Sequence, residues 1–322
     1  MTTGTQLRAA WAAWATWACK RREPLHVRPT RVGPEGPGGK LPGLFSVAWS
    51  YRRDMNETTY VLGTEQAELH RLGLQHQVWS AEARRGWELG GFRAGHTLLD
   101  LGCGPGFCTL EMAYLVGAQG KVIGVDFAAS YIDFLRKQSD LHGLNIDAQH
   151  SSFEDMQLAP QSLDGVFCRW ALAWVPDPEA VLAKVKTALK PSGRMVIQEY
   201  FHWPLFQTEP QFPALTKGIA AAYRSMKEQP GDIDVGRHIP AMAARVGLKV
   251  LHTRPIGKLA APSELTWEWP RSFLRIYLAK VAERGLLTTD EATAALADLD
   301  RLSAIPEARI LCPVVMETVL EV

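Results

Sequence analysis

Between Glu65 and Gly90 apolar side chains recur at helical spacing. Leu69, Leu72, Val78 and Trp79 can share a face, with Gly73 a weak point in the run. From His96 onward the pattern changes to short apolar stretches separated by longer amphipathic ones. TLLDL (97–101), KVIGVD (121–126), IDAQH (146–150), DGVFC (164–168) and RMVIQEY (194–200) read as strands, and 107–117, 129–142 and 178–190 read as helices. The last helix is well marked. Asp177 can cap it, Pro178 fits its first position, Val181, Leu182, Val185 and Leu189 form its apolar stripe, and Pro191-Ser192-Gly193 stops it. Strands alternating with helices at this spacing predict βαβ units, hence a parallel sheet covered on both faces.

After Tyr200 the rhythm changes. Residues 204–246 read as mostly helical with Pro and Gly interruptions, LKVLHTR (248–254) as a strand, and 271–284 and 289–302 as helices. Thr288 with Glu291 makes a capping box for the last of these, and ARILCPVVMETVLEV returns to strand character. Residues 1–54 differ from everything that follows. Trp11, Trp14 and Trp17 lie in an Ala-rich run, Lys20-Arg21-Arg22 follows, and then a Gly- and Pro-rich stretch, RPTRVGPEGPGGKLPG. Three readings compete: a flexible tail, which is preferred; an extension upstream of a start at Met55; and an acid-poor targeting peptide, since only Glu23 and Glu35 oppose seven basic residues up to Lys40.

Composition narrows the function. The chain has 322 residues, 47% of them apolar, and a net charge of +1 from 35 basic and 34 acidic side chains. That is enough to bury a core, and it argues against holding nucleic acid by phosphate neutralisation. No apolar run approaches the ~18 residues of a membrane span. Cys19, Cys103, Cys108, Cys168 and Cys312 form no CxxC pair and no zinc-ligand spacing, so they read as free thiols of a reducing, cytoplasmic compartment.

The chemistry is concentrated in LLDLGCGPGF (98–107). A buried strand ends in Asp100, then Gly102, Gly104 and Gly106 alternate, and a helix begins. Glycines permit positive φ and let a ligand touch the backbone, and the helix N-terminus favours negative charge. A dinucleotide fingerprint needs GxGxxG, but here Phe107 stands where its third glycine would fall. Asp126, at the tip of the second strand, can accept hydrogen bonds from both ribose hydroxyls of an adenosine, and Phe127 can lie against the adenine. The competing reading of Asp126 is a simple cap of the next helix.

On these residues the stretch from Leu98 to Tyr200 resembles the class I S-adenosylmethionine-dependent methyltransferases, in particular the small-molecule group typified by quinone-biosynthesis enzymes. The resemblance implies an α/β, Rossmann-like, doubly wound fold with a mainly parallel seven-stranded sheet, an antiparallel last strand and a helical lid. It implies this organisation: an N-terminal extension (1–54), a helical cap (55–95), a cofactor-binding core (96–203), a lid insertion (204–246) and the last strands with a second helical insertion (247–322). Asp100, Gly102, Cys103, Gly104 and Gly106 would form the loop under the methionine part of the cofactor, and Asp126 and Phe127 would meet the adenosine. Phe153 would border the adenine, with Ser152, Glu154 or Asp155 left open as the group receiving its amino function, because many relatives have Asp where this chain has Ser152. Cys168, Arg169 and Trp170 would face the methionine end and the substrate mouth, and Gln75 resembles a glutamine that some relatives aim at the active site.

The cofactor would be S-adenosylmethionine, leaving as S-adenosylhomocysteine, and the partner a small or medium organic methyl acceptor. Transfer is an in-line displacement that needs alignment and exclusion of water rather than a metal. A general base is needed only for a protonated acceptor; Glu199, Tyr200 and His202 are the candidates, with His238 more distant in sequence. Trp170, Trp174, Tyr200 and Trp203 fall near strand ends, where they can line an aromatic pocket or simply pack the core. The alternatives are an RNA or protein methyltransferase and a non-catalytic cofactor-binding protein on the same fold. A homodimer, the acceptor's identity and the methylated atom stay open.

Overall fold

The computed structural model describes residues 66–322, so the readings for 1–54 and the first part of the 55–95 cap lie outside the described residues. The chain runs α1 (Gln66–Leu89), β1 (Thr97–Leu101), α2 (Phe107–Val116), β2 (Lys121–Asp126), α3 (Ala129–His142), β3 (Ile146–His150), β4 (Leu163–Arg169), α4 (Pro178–Ala188) and β5 (Leu189–His202). It continues through β6 (Gln207–Glu209), α5 (Pro213–Lys227), α6 (Ile239–Arg245), β7 (Lys249–Ile256), β8 (Leu259–Ala260), α7 (Leu265–Glu283), α8 (Thr289–Ser303), β9 (Arg309–Leu311) and β10 (Val314–Glu321).

Seven strands form the main sheet in the order β3-β2-β1-β4-β5-β10-β7. Neighbours among the first five are parallel, and β10 runs antiparallel to both β5 and β7. Successive side chains of a strand point to opposite faces, and both faces here are buried. Leu98, Val122, Phe167 and Val196 pack with Ala83 and Trp87 of α1 and Met112 and Val116 of α2. Their neighbours Leu99, Val125, Val166 and Ile197 pack with Val181, Leu182 and Val185 of α4. That is the doubly wound, mainly parallel arrangement the sequence implies.

The caps follow the local chemistry. Asp177 Oδ1 accepts from the Ala180 N–H at 2.9 Å, with Pro178 opening α4. At α8 both halves of the capping box form: Thr288 Oγ1 accepts from the Glu291 N–H at 3.2 Å, and Glu291 Oε2 from the Thr288 N–H at 2.8 Å. Thr288→Ala is expected to cost about 1 kcal/mol, read as a lower thermal midpoint with the cofactor affinity unchanged.

Several expectations are corrected. The helix predicted over 178–190 ends at Ala188, and β5 begins at Leu189 and passes through Ser192 in the left-handed region (φ 62°). The helix predicted from residue 271 begins at Leu265 and carries Pro270 within its second turn. The 204–246 segment is not only helical, and the C-terminal apolar run is not one strand. β6, β9 and β8 form a separate three-stranded antiparallel sheet, and β10 alone joins the main one. On α1, Leu69, Leu72 and Val78 are only half-buried; the deep stripe is Glu68, Arg71, His76, Trp79, Ala83 and Trp87. Its polar members defeat an apolar-periodicity reading because each is buried with a partner. Arg71 forks onto Glu68 at 2.7 and 2.6 Å, and His76 Nε2 meets Glu111 at 3.0 Å.

Candidate functional site

Parallel pairing brings three chain segments to one edge of the sheet. Leu101 lies opposite Val125 on one side and Cys168 on the other. The loop after β1, the tip of β2 and the turn after β4 therefore emerge together, at the carboxyl ends where ligands of open α/β sheets bind.

The loop after β1 is built from main chain. Gly102, Gly104 and Gly106 all have positive φ (74°, 53° and 85°). A Cβ on Gly102 would stand 2.2 Å from Ala171 Cβ, and one on Gly106 would stand 2.3 Å from Leu135 Cδ1, so both glycines are required by close packing. A Cβ on Gly104 would meet nothing within 4 Å: here the bare backbone faces open space. Beside it, Asp126 accepts from the Gly104 N–H (2.8 Å, Oδ2) and the Ala128 N–H (2.9 Å, Oδ1). Burial holds its carboxyl above the ordinary range, against these backbone donors. Asp126 thus supports the start of α3 and the loop together, and a carboxylate retains lone pairs for further donors. An exposed glycine backbone next to an anchored carboxylate fits a nucleoside bearing a short zwitterionic chain, which is the shape of S-adenosylmethionine.

Around this cradle the predicted residues fall into different environments. Asp100 is buried and accepts from Thr109 Oγ1 at 2.6 Å, and desolvation lifts its pKa to about 6. It ties the loop to the first turn of α2. Cys103 is buried, and burial pushes its thiol up, so it is inert. Phe153 reaches the loop, its Cζ 3.4 Å from the position of a Gly102 Cβ. Ser152 Oγ donates to Asp155 Oδ2 at 3.0 Å and accepts from the Asp155 N–H at 3.1 Å, closing its own turn. Glu154 contributes its carbonyl to Lys184. The Phe127 carbonyl lies 2.8 Å from His150 Nε2. Arg169 donates to Cys108 Sγ at 3.2 Å and lies 5.1 Å from the Trp170 ring centroid.

Four predicted positions are not brought to the cleft. Cys168 is fully buried on the α4 side of the sheet, because Phe167 takes the opposite face. Glu199 is also fully buried; its Oε1 accepts from the Ala171 and Leu172 N–H groups, both at 2.8 Å. Desolvation lifts its pKa to about 8. His202 lies on the outside with Nδ1 2.6 Å from Arg237 Nη2. His238 is also outside, 3.4 Å from Asp232.

Next to the cradle lies a cleft that is partly open to solvent. Gln75, Trp170, Trp174, Tyr200 and Trp203 line it, as do Arg71 of α1 and Trp269, Phe273 and Tyr277 of α7. Trp170 is the hinge between the two parts. It sits at φ 55°, a left-handed conformation costly for a bulky residue, and its neighbour Ala171 is the contact of Gly102. Its ring stacks on Tyr200 (5.5 Å, 18°) and on Trp269 (5.7 Å, 18°). Burial pushes the Tyr200 phenol well above its ordinary value, so it is a neutral hydroxyl. Sequence reasoning missed Arg71 and the whole α7 contribution. The Glu68/Arg71 spacing of three was a usable sign of a helical ion pair; nothing local marks Trp269 as a cleft residue.

A Rossmann-like sheet in this order, with an antiparallel strand inserted between β5 and β7 and a glycine cradle after β1, defines the class I methyltransferase fold. Residues 92–243 match the family described as methyltransferase domain. A 2-phytyl-1,4-naphtoquinone methyltransferase of Thermosynechococcus vestitus is 35% identical over 39% of this chain and 55% of its own length. A demethylmenaquinone methyltransferase of Lactococcus lactis is 32% identical over 40% of this chain and 50% of its own. The chain thus spans about half the length of each. A solved structure of a candidate methyltransferase from Bacillus halodurans superimposes with a TM-score of 0.52 at 12% identity, covering 75% of this chain and 98% of that one, a likeness of fold.

Proposed function

We propose that the protein is an S-adenosylmethionine-dependent methyltransferase acting on a small or medium organic acceptor. One observation carries the reading: the 170–171 turn forms a wall of the glycine cradle through Ala171 and a wall of the aromatic cleft through Trp170. A donor in the cradle and an acceptor in the cleft would meet across that turn. The cofactor, when bound, supplies a methyl group activated on a sulfonium. Asp126 and the loop would hold its nucleoside and amino-acid parts, and Arg169 stands at the methionine end. The Tyr200–Trp170–Trp269 stack offers flat faces to a planar acceptor and excludes water. Aromatic faces also tolerate a nearby cation.

Among the described residues lining the cleft there is no carboxylate and no imidazole. An acceptor whose nucleophile enters already deprotonated, as an ionised phenol would, or a ring carbon whose proton is released to solvent after transfer, fits this lining. The names of the two relatives point to ring acceptors of the quinone type, and the flat cleft suits one. We extend the reading to α5, α7 and α8 as a cap over the acceptor and to a cytoplasmic site of action. No helix of the described residues is long and apolar enough to cross a membrane.

The test is incubation of the purified chain with isotopically labelled donor and a cell extract, followed by mass spectrometry of labelled products. Label in small organic molecules supports the reading, whereas label only in RNA or protein overturns it. With an acceptor in hand, the rate is expected to follow the acceptor's own ionisation with pH.

A further inference from the structure

The orientation of one side-chain amide in the cleft is settled by its neighbours. Gln75 Oε1 lies 2.9 Å from Arg71 Nη1 and 3.1 Å from Trp269 Nε1. Guanidinium and indole nitrogens only donate, so the atom between them is the oxygen, and the amide nitrogen is turned the other way. Arg71 cannot swing to relax this, because its other arm forks onto buried Glu68 at 2.7 and 2.6 Å. Trp269 cannot either: it is buried and stacked on Trp170. The Gln75 NH2 makes no hydrogen bond to the described residues, and the half-buried side chain lines the cleft. Around it the walls are aromatic, with no other side-chain amide among the lining residues.

We infer that Gln75 is a specificity-determining residue: its locked amide presents N–H donors to an acceptor molecule that carries a carbonyl-type, acceptor-only oxygen on a planar ring. The inference rests on the methyltransferase reading for the identity of the cleft and adds the chemistry that the cleft selects. A ring without such an oxygen leaves the donors unpaired in an apolar site, which is how polar pockets reject apolar analogues. A ring with it pairs these donors and is oriented by them, while the stack sets its plane.

The discriminating variant is Gln75→Glu. A carboxylate keeps an oxygen for Arg71 and Trp269 but puts an acceptor where the donors were. The probes are 1-tetralone, which has one ring carbonyl, and tetralin, its hydrocarbon counterpart, titrated by ligand-observed NMR with S-adenosylhomocysteine present. Tetralone affinity is expected to fall about tenfold in Gln75→Glu relative to the unsubstituted chain, while tetralin stays within about twofold. Equal losses for both probes would mean a merely structural role and overturn the inference. So would an unchanged tetralone affinity, or no tetralone binding by the unsubstituted chain. S-adenosylhomocysteine affinity, measured by calorimetry on both proteins, is expected to be unchanged. Its absence from the unsubstituted chain would instead overturn the methyltransferase reading.

Discussion

Asp126→Ala is expected to weaken S-adenosylhomocysteine binding by about 100-fold, measured by calorimetry. The carboxylate holds the Gly104 and Ala128 N–H groups at 2.8 and 2.9 Å, so its removal frees the loop at the glycine whose backbone is bare. It also removes the acceptor available to the ribose. Hydrogen bonds to a charged partner are worth about 1.5–3 kcal/mol, and about 1.4 kcal/mol is a factor of ten, so losing two gives at least the stated effect. Asp126→Asn is expected to fall nearly as far. An amide can offer its oxygen to only one of the two donors, and its NH2 opposes the other. A far-ultraviolet dichroism spectrum matching the unsubstituted chain separates loss of the site from loss of the fold. Unchanged binding in a folded Asp126→Ala protein would refute the placement of the nucleoside.

The parts of this molecule that were legible in its sequence are those whose cause is local. β1, its glycine loop and α2 fall together because three glycines and a buried strand can do little else at that spacing. The α4 and α8 caps follow from Asp177, Thr288 and Glu291, each acting within three residues of its partner. What depends on distant partners was not legible. The bond from Trp269 to Gln75 spans 194 positions, so no window of sequence contains it. Arg71 and His76 fall outside the apolar periodicity of α1, yet each is buried with a counter-group: Glu68 for Arg71, and Glu111, on another helix, for His76. The three strands of the small sheet are two or three residues long and too short for any periodicity. Glu199 has the composition of a catalytic base at a strand end; only the fold reveals that backbone donors claim it. Thus the glycine cradle could be read from contiguous residues, whereas the aromatic cleft is assembled by α1 and α7 packing against each other.

Glu199 gives the largest expected effect on stability, and one with a definite sign. Its Oε1 takes the N–H groups of Ala171 and Leu172, the turn that holds Trp170 in its left-handed conformation. Glu199→Ala leaves these buried donors unmatched, at about 1–3 kcal/mol each, so a loss of about 3–4 kcal/mol is expected in urea unfolding. The cleft should be lost with it, since Trp170 is no longer fixed. Glu199→Gln keeps an oxygen for the turn and should keep the fold. The pH dependence follows from burial, which raises the folded pKa to about 8 from an ordinary 4.5. Between those values the folded chain holds a proton that the unfolded chain has released. Stability from this group is therefore full below pH 4.5 and is lost as pH rises through 8, with a slope approaching about 1.4 kcal/mol per pH unit. Asp100, raised to about 6 from 3.8, adds the same sign at lower pH. Buried His76, whose pKa is lowered from 6.5, acts oppositely, but only below that value. Between pH 6.5 and 8 the Glu199 contribution therefore stands clear of both: the unsubstituted chain should lose stability across that window, and Glu199→Gln should show a flat profile. A slope that persists in Glu199→Gln would assign the proton to another group and leave the carboxyl ionised in its buried turn.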